Sequence, residues 1–344
     1  MKKTILVTGG TGYIGSHTAV ELISRKFSVK IIDNLSNSSV DTVNTIRRIT
    51  GVRPHFTKLD LCDAKALAGW FRRNRDVIAV IHFAALKSVG ESEKRPLDYY
   101  RNNILSTVNL LHELNVNHIS SLVFSSSCTV YGEPDSNPVT EKSSIKPAAS
   151  VYGNTKRICE EIIRDAAKEF PLRAISLRYF NPVGAHSSGL IGDSPVNPSD
   201  NLLPAITQTA SGKRNILNVY GNDYPTPDGT PVRDYIHVVD LAKAHVAAIE
   251  RLIGKKNNTS FEVFNLGTGR GYSVFEIINA FSDCTGVRLN FKITSRRPGD
   301  MTSIWADTAQ ANKELGWEAG LTLDDMVRTA WAWEQNHNKK SAAE

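Results

Sequence analysis

The opening of the chain constrains its fold more than any other stretch. Thr4–Thr8 is a short apolar run, and the glycines Gly9, Gly12 and Gly15 follow it with two residues between successive glycines. A buried strand that ends in this spacing and leads into a helix brings a diphosphate onto bare backbone amides. Gly9 permits the tight turn, Gly12 lets phosphates approach closely, and Gly15 lets the helix pack on the sheet. The stretch therefore predicts a dinucleotide site; the alternative is an ordinary glycine-rich turn.

The second predicted strand, Ser28–Asp33, ends in an acid. Asp33 lies 18 residues after Gly15, where a carboxylate can bind both hydroxyls of an adenosine ribose. No arginine follows Asp33 directly, so a 2′-phosphate would meet negative charge there. The predicted cofactor is therefore NAD rather than NADP.

Composition and charge exclude several classes of protein. The 344 residues are 41% hydrophobic and 22% charged, as in a soluble globular protein, and no apolar run reaches the roughly 18 residues of a membrane helix. The net charge of +6 comes from scattered basic residues, so we expect no nucleic-acid partner. Because the chain leads straight into a strand, we expect no signal peptide. Its four cysteines form no C-x-x-C pair, which favours a cytoplasmic protein without a metal site.

Helical and strand patterns alternate along the first half of the chain. Val77–Phe83 has the continuous apolar run of a strand buried on both faces, and Leu97–Leu114 has the pattern of a long helix. Such alternation predicts an α/β fold with a doubly wound parallel sheet in residues 1–180. Residues 181–335 are richer in Pro, Gly, Asn and Asp, and we expect them to form mainly a smaller C-terminal α/β lobe, with residues 233–265 rejoining the sheet.

Two motifs place acid–base groups at the edge of the sheet where ligands bind. Tyr152 and Lys156 are four residues apart and so share one face of a helix. A nearby ammonium stabilises a phenolate, so the pair predicts a tyrosine with a lowered pKa that serves as general acid and base. The serines of Ser125–Ser127 stand at the end of the predicted strand Ile119–Ser125, and a hydroxyl there can share a hydrogen bond with Tyr152 and a sugar oxygen. The tyrosine–lysine spacing alone also fits an ordinary surface pair.

Several long segments resemble the extended short-chain dehydrogenase/reductases, and among them the UDP-hexose 4-epimerase family. The similarity extends over nearly the whole chain, and the matching segments are T-G-G-T-G-Y-I-G-S-H, I-H-F-A-A-L-K-S-V-G-E-S, S-S-S-C-T-V-Y-G, L-R-Y-F-N-P-V-G-A-H, G-N-D-Y-P-T-P-D-G-T-P-V-R-D-Y-I-H-V-V-D-L and R-R-P-G-D. The resemblance implies a Rossmann-type fold, an NAD cofactor, a UDP-sugar substrate bound by the C-terminal lobe, and a homodimer.

The resemblance also implies roles for the matching residues. Tyr152 would remove the proton of the sugar's 4-hydroxyl with the help of Ser127, and Lys156 would hold the nicotinamide ribose. With the three glycines, the implied NAD pocket comprises Tyr13, Ile14, Asp33, Asn34, Leu35, Ser36, Asn37, Ser38, Asp60, Leu61, Phe83, Ala84, Ala85, Leu86, Lys87, Asn102, Ser127, Tyr152, Lys156 and Phe180. The implied nucleotide-sugar site comprises Lys87, Ser127, Tyr152, Asn181, Asn201, Leu202, Asn218, Val219, Tyr220, Arg233, Arg297, Asp300 and Ile304.

The charges of the implied sugar site suit a nucleoside diphosphate. The guanidinium groups of Arg233 and Arg297 can bind a diphosphate through charge-assisted bonds, and Asp300 can bind a ribose diol. The alternative for the two arginines is a surface ion pair with Asp234 or Asp300.

The implied activity is 4-epimerisation of UDP-hexoses by hydride abstraction from C4, rotation of the 4-keto sugar and hydride return. A nucleotide-sugar 4,6-dehydratase shares the first step, but it needs an acid–base pair after the strand-end serine, where this chain has Cys128 and Thr129. A 4-reductase would use the same fold and cofactor, and a non-catalytic NAD-binding sensor would use the fold without the chemistry. The sensor is disfavoured because Tyr152 and Lys156 are both present.

One position departs from the family pattern. Ile304 stands where glucose-specific bacterial relatives carry a tyrosine against the hexose. Because isoleucine is shorter, we expect room near the sugar's C2 substituent and hypothesise that UDP-GlcNAc and UDP-GalNAc are also substrates. The alternative is a different wall with the same substrate range.

Overall fold

The computed structural model describes residues 3–193, 201–297 and 300–341 of the chain. Pro298 and Gly299 of the R-R-P-G-D segment lie outside the described residues. The strands are β1 Thr4–Thr8, β2 Ser28–Asp33, β3 His55–Lys58, β4 Val77–His82, β5 Ser121–Ser125, β6 Arg173–Tyr179, β7 Asn181–Val183, β8 Leu217–Tyr220, β9 Val232–His237, β10 Phe261–Leu266, β11 Gly271–Ser273, β12 Phe291–Thr294 and β13 Ser303–Ile304.

Helices fill the connections between these strands. They are α1 Tyr13–Ser24, α2 Asp41–Thr50, α3 Ala64–Arg73, α4 Val89–Lys94, α5 Pro96–Val116, α6 Val151–Glu169, α7 Leu202–Ala210, α8 Val238–Ile253, α9 Val274–Thr285, α10 Ala309–Leu315 and α11 Leu323–Ser341, with a 3-10 turn at Cys128–Tyr131. None of the helices in the described ranges combines the length and apolarity needed to cross a membrane.

The main sheet has seven parallel strands in the order β10-β6-β5-β4-β1-β2-β3. Side chains alternate across it, as the two-residue period of a strand requires. Ile5 and Val7 pack on one face with α1, α2 and α8, while Leu6 packs on the other with α3, α5 and α6. The predicted doubly wound α/β sheet is therefore confirmed.

The order of the strands reverses between β1 and β4. In open parallel sheets, ligands bind outside the carboxyl ends of the strands at such a switch point. The glycine-rich turn follows β1, and Ser127 lies just beyond β5, at the same edge of the sheet.

One expectation about the sheet is wrong. The predicted return of residues 233–265 holds for α8, which packs on the sheet, and for β10, which forms its edge strand. It fails for β9, which pairs with β7, β11 and β13 in a separate small sheet. In its place in the small sheet, the fully buried Asp234 of β9 accepts hydrogen bonds from the backbone amides of Thr268 and Ala306.

The C-terminal part of the chain has a second apolar core. It is formed where α7, α9 and α11 pack around β8 and β9, with Ile206, Phe281 and Val327 fully buried at its centre. This core supports the small sheet that carries Arg233 on β9 and so places that side chain opposite the glycine-rich turn across a common cavity.

Candidate active site

A cavity of about 1810 Å³ lies at the carboxyl edge of the main sheet. It is lined by the turn after β1, the ends of β2, β4, β5 and β6, the start of α6, and residues of the C-terminal part of the chain. The cavity is large enough for a dinucleotide and a nucleotide sugar together, since single-ligand pockets measure roughly 300–1,000 Å³.

The turn after β1 leaves the first amides of α1 available to a ligand. Gly12 caps α1 with no side-chain hydrogen bond, and the first turn carries no acidic residue. A Cβ on Gly15 would collide with the carbonyl oxygen of Gly9, and one on Gly9, whose φ is +69°, would lie 2.7 Å from the Ala84 nitrogen. Only glycines allow this close approach of helix, turn and β4. The uncapped helix end, with its positive dipole, fits a diphosphate.

Asp33 sits at the end of β2 in the wall of the same cavity. Its carboxylate accepts hydrogen bonds from the amides of Thr11, at 3.2 Å, and Leu35, at 2.9 Å, and from the Ser38 hydroxyl, at 3.2 Å. These three donors fix the carboxylate at 9% exposure with its charge toward the cavity. The carboxylate can accept hydrogen bonds from the two hydroxyls of a ribose beside it, and its negative charge opposes a 2′-phosphate there.

The helix that carries Tyr152 is capped by two neighbouring serines. The Ser150 hydroxyl accepts a hydrogen bond from the amide of Gly153 at 3.1 Å, and the Ser92 hydroxyl accepts one from the amide of Tyr152 at 3.2 Å. Two of the amides that a helix leaves unpaired at its start are thereby satisfied. The caps fix Tyr152 in the first turn of α6, where its side chain is 7% exposed.

A glycine lets this helix approach the strand end that carries Ser127. A Cβ on Gly153 would lie 3.0 Å from the backbone oxygen of Thr129 and 3.2 Å from its side chain. The close packing brings the phenol of Tyr152 beside Ser127. The Ser127 hydroxyl also accepts from the Thr129 amide, at 3.2 Å, and from the Thr129 hydroxyl, at 2.9 Å. The serine is thus oriented toward Tyr152.

Lys156 lies behind the phenol with its ammonium 5.9 Å from the centre of the Tyr152 ring. Its Nζ donates a 2.7 Å hydrogen bond to the backbone oxygen of Ser125 and is 4.8 Å from the centre of the Phe124 ring. Burial lowers the pKa of Lys156 from 10.5 to about 8. The group therefore remains mostly protonated at neutral pH and supplies a positive charge to the base of the cavity.

The structure contradicts the expected lowering of the Tyr152 pKa. Burial raises this pKa well above 10, the proximity of Tyr179 raises it further, and the hydrogen bond with Ser127 lowers it only in part. The reason is that the phenol is almost completely removed from water, which disfavours the phenolate. Tyr152 is therefore a phenol at neutral pH in this structure.

The two positions after Ser127 carry groups poorly suited to further acid–base chemistry. Burial raises the pKa of the Cys128 thiol to about 12. The hydroxyl of Thr129 is committed to a hydrogen bond with Ser127. Neither group can donate a proton to a leaving hydroxyl as readily as a carboxylic acid.

On the opposite side of the cavity, Arg233 is held by its surroundings. It donates to the backbone oxygens of Val232, at 2.9 Å, and Met301, at 2.6 Å, and it forms an ion pair with Asp300 at 3.3 Å. The guanidinium of Arg297 lies 4.3 Å from the centre of the Tyr220 ring. The ion-pair alternative thus describes Arg233 in part, although Arg233, Arg297 and Asp300 all line the cavity.

Most of the predicted site residues line this one cavity. The exceptions are Leu35, Leu202, Asn218, Val219, Tyr220 and Ile304. Leu35 instead donates its amide to Asp33, and Tyr220 stacks under Arg297. Leu202 begins α7, while Asn218 and Val219 lie in the β8–β12 pair. None of the six is among the residues that line the cavity.

Ile304 is expected to contact the sugar, but it is not among the residues that line the cavity. Ile304 is fully buried and packs with Cys128, Phe180 and Met301. The pairing of β13 with β9, which sets Ile304 beside Arg233, turns this apolar side chain into the cluster. The three residues it packs against line the cavity, so Ile304 backs the wall.

Several lining residues were not predicted. Tyr179 donates to or accepts from the Ser125 hydroxyl at 2.8 Å, and its place before Phe180 at the end of β6 is the signal that could have revealed it. Lys87 forms a 3.6 Å ion pair with Asp193, whose backbone oxygen accepts from the indole of Trp333 at 3.4 Å. No local pattern marks Asp193 or Trp333, because both reach the cavity only through the fold.

The seven-stranded sheet, the glycine turn and the Ser127–Tyr152–Lys156 group together define an extended short-chain dehydrogenase/reductase. A family model described as GDP-mannose 4,6 dehydratase matches residues 6–330. The UDP-glucose 4-epimerase of Dictyostelium discoideum is 50% identical over 331 residues, which cover 96% of this chain and 95% of the relative. That of Bacillus subtilis is 47% identical, with 97% of each chain covered.

Solved structures agree with these relatives. The chain superimposes with a TM-score of 0.94, at 46% identity and over 98% of its length and 99% of the other, on the UDP-glucose 4-epimerase of Stenotrophomonas maltophila, a complex with NAD and formylated UDP-arabinopyranose. The enzyme of Bifidobacterium longum, in complex with NAD+ and UDP, gives a TM-score of 0.93 at 43% identity, over 97% of this chain and 99% of the other. Within the extended dehydrogenase/reductases, the chain belongs to the UDP-glucose 4-epimerase family.

Proposed function

We propose that this protein is an isomerase that interconverts UDP-glucose and UDP-galactose at C4 with NAD as a resident cofactor. The observation that carries the proposal is the single cavity that joins three sites. The uncapped start of α1 with Asp33 fits a dinucleotide, Arg233, Arg297 and Asp300 fit a nucleoside diphosphate, and Tyr152 with Ser127 lies between them. The relatives and solved structures described above support the same assignment.

The residues present fit NAD. The α1 amides would hold the diphosphate, Asp33 the adenosine ribose, and Lys156 the nicotinamide ribose. Bound in this way, NAD supplies reversible hydride acceptance at the sugar's C4. We propose residues 1–180, together with α8 and β10, as the cofactor-binding part and residues 181–335 as mainly the sugar-binding part.

Proton transfer depends on Tyr152 and Ser127. Ser127 lies beside the phenol, so its hydroxyl can hold the sugar's 4-oxygen within reach of Tyr152. The raised pKa of Tyr152 opposes ionisation, and the ammonium of Lys156 behind the ring favours it. Tyr152 would take the proton as C4 is oxidised and return it as C4 is reduced on the other face. The arginines would hold the diphosphate while the 4-keto sugar turns about its link to it.

The same site disfavours both a dehydratase and a reductase. A 4,6-dehydratase needs a proton donor at the position of Cys128 or Thr129, whose thiol is weakly acidic and whose hydroxyl is committed to Ser127. A 4-reductase would release its product after one hydride transfer, whereas the neighbours in sequence and structure are epimerases. The match to a dehydratase family model is explained by the shared fold and first chemical step.

The decisive experiment follows UDP-galactose conversion by the purified protein together with the absorbance of reduced nicotinamide. We expect UDP-glucose to form with no net absorbance change, because each turnover regenerates the cofactor. Tyr152→Phe should lower kcat by roughly 10²–10⁴-fold, the usual share of general acid–base catalysis, while circular dichroism stays unchanged. Stoichiometric accumulation of reduced nicotinamide during turnover would refute epimerisation.

Two further features belong to the same proposal. We propose that N-acetylated UDP-hexoses are also accepted, because an isoleucine, shorter than a tyrosine, stands behind the wall that Cys128, Phe180 and Met301 form. We also propose a homodimer through α5 and α6 in the cytoplasm. Leu97, Leu105 and Val108 of α5 are 80%, 36% and 42% exposed, and light scattering of the purified protein tests the dimer.

A further inference from the structure

A buried carboxylate lies one helical turn beyond Lys156. Glu160 is 1% exposed, and its Oε1 accepts hydrogen bonds from the hydroxyls of Ser126, at 2.6 Å, and Ser176, at 2.7 Å. Its two oxygens also accept from Arg178, with Nε at 3.0 Å from Oε1 and Nη2 at 2.5 Å from Oε2. Burial opposes the ionised form of Glu160, but Arg178 and the serines outweigh it, so the pKa is lowered. The carboxylate is therefore charged.

These bonds reach the catalytic strand end directly. Ser126 is the residue between Ser125, whose carbonyl accepts from Lys156 at 2.7 Å, and Ser127, which contacts Tyr152. Glu160 therefore joins α6 to the strand end on which the proposed proton transfer takes place. The hydrogen bonds of its side chain run to β6 and to this strand end.

Glu160 also follows Lys156 by four residues on α6, so it lies one helical turn from the lysine and is a negative charge near the ammonium. The other titratable groups around the ammonium are Tyr152 and Cys159 on α6 and His82 on β4. Burial raises the pKa of the Cys159 thiol and lowers that of His82 to about 3, and Tyr152 is a phenol, so all three are uncharged at neutral pH. Cys159 and Glu160 both oppose the effect of burial on the pKa of Lys156, and of these two it is Glu160 that is ionised at neutral pH.

We infer that Glu160 is a positioning residue of the proposed epimerase: it anchors Ser126 against α6 and keeps Lys156 in its ammonium form. Arg178 is the ion-pair partner of Glu160 and offsets part of its negative field at Lys156. The inference rests on the proposed function, because its consequence appears in the pH dependence of turnover.

Two variants separate this role from plain structural support. Both E160Q and R178M break the same buried ion pair, so both should lose stability. They change the field at Lys156 in opposite ways. We expect kcat to fall at alkaline pH when Lys156 loses its proton. E160Q removes the negative charge near the ammonium, so this alkaline fall of kcat should move about one pH unit lower. R178M removes the positive charge and leaves a carboxylate that Ser126, Ser176 and Lys156 keep ionised. The alkaline fall of kcat should therefore move to higher pH.

The measurement is the kcat of UDP-galactose conversion from pH 6.5 to 10, with urea unfolding of each variant as the check on folding. Shifts of the same sign in both variants, or no shift in E160Q, would overturn the inference. If E160Q is too unstable to assay, the double variant E160Q/R178M should show its alkaline fall below that of R178M; an equal or higher position overturns the inference. A wild type without turnover would instead refute the proposed function.

Discussion

At the scale of single residues, position 304 decides how the proposed substrate range can be tested. Ile304 is fully buried and packs with Cys128 and Met301, which separate it from the cavity. A tyrosine has a longer side chain than this closely packed cluster can hold without displacement. We expect Ile304→Tyr to push the wall, or the new ring, toward the sugar and to narrow the space near C2.

The corresponding measurement is kcat/KM for UDP-GlcNAc and UDP-galactose with wild type and Ile304→Tyr. The wild type should turn over both sugars. The variant should lose UDP-GlcNAc turnover by about tenfold or more, as expected when a pocket excludes an added group, and should retain UDP-galactose turnover. Ile304→Leu, which conserves volume, is the matched control and should retain both. Failure of the wild type to convert UDP-GlcNAc would contradict the hypothesis.

The sequence predicts individual residues well where one short segment carries the whole constraint. The spacing of Gly9, Gly12 and Gly15 requires the tight turn that the structure shows, and Tyr152 and Lys156 share a face because four residues make about one helical turn. The pKa of Tyr152 could not be predicted in this way. It depends on how completely the surrounding elements exclude water, and spacing along one helix contains no information about that exclusion.

At the scale of elements, the docking of α6 against the turn at Cys128–Tyr131 should control activity. Gly153→Ala would place a methyl group 3.0 Å from the backbone oxygen of Thr129, which cannot move aside as a flexible side chain can. The helix must then shift away from Ser127. We expect kcat to fall roughly tenfold, because the contact has to give by a few tenths of an ångström and a displacement of about 1 Å at a reacting group costs about 10²-fold.

The matched control for Gly153→Ala is Gly69→Ala in α3. A Cβ at Gly69 would meet only the ends of Arg73 and Arg72, at 3.6 Å and 3.7 Å. Replacing a glycine within a helix should then stabilise the fold by about 1 kcal/mol, and kcat should stay unchanged. Kinetics and urea unfolding of both variants test this, and a Gly153→Ala enzyme with full kcat would show that α6 tolerates the displacement.

Strands whose sheet partners lie far away in the sequence were harder to predict. The parallel strands of the main sheet are recognisable because each is a nearly continuous apolar run between helices. β9 has the same length and polarity as a strand of that sheet, but its partners β7, β11 and β13 come from three separate parts of the chain. Nothing within residues 232–237 distinguishes a place in one sheet from a place in the other.

At the scale of the whole molecule, buried histidines tie the fold to pH. Burial lowers the pKa of His17 and His82 to about 3 and that of His237 and His245 to about 4. These side chains are neutral in the folded protein, whereas in the unfolded chain they gain protons below about pH 6.5. The unfolded state thus binds more protons as pH falls. The contribution of the histidines to stability is complete above pH 6.5 and is lost between pH 6.5 and pH 3–4.

His245 offers a direct test of this acid sensitivity. Its Nε2 is buried without a hydrogen-bond partner among the described residues, and its ring lies 4.6 Å from that of Phe83 and 6.1 Å from that of Tyr179. Phenylalanine can occupy the same aromatic position without titrating.

We expect the urea midpoint of the wild type to be lower at pH 5 than at pH 7.5. The midpoint of His245→Phe should fall less, and the difference should correspond to the uptake of about one proton by the unfolded chain. The comparison cancels buried carboxyls with raised pKa, such as Glu21 and Asp234, because both proteins contain them. If the midpoints of the two proteins fall by the same amount between pH 7.5 and pH 5, His245 does not contribute to the acid sensitivity of the fold.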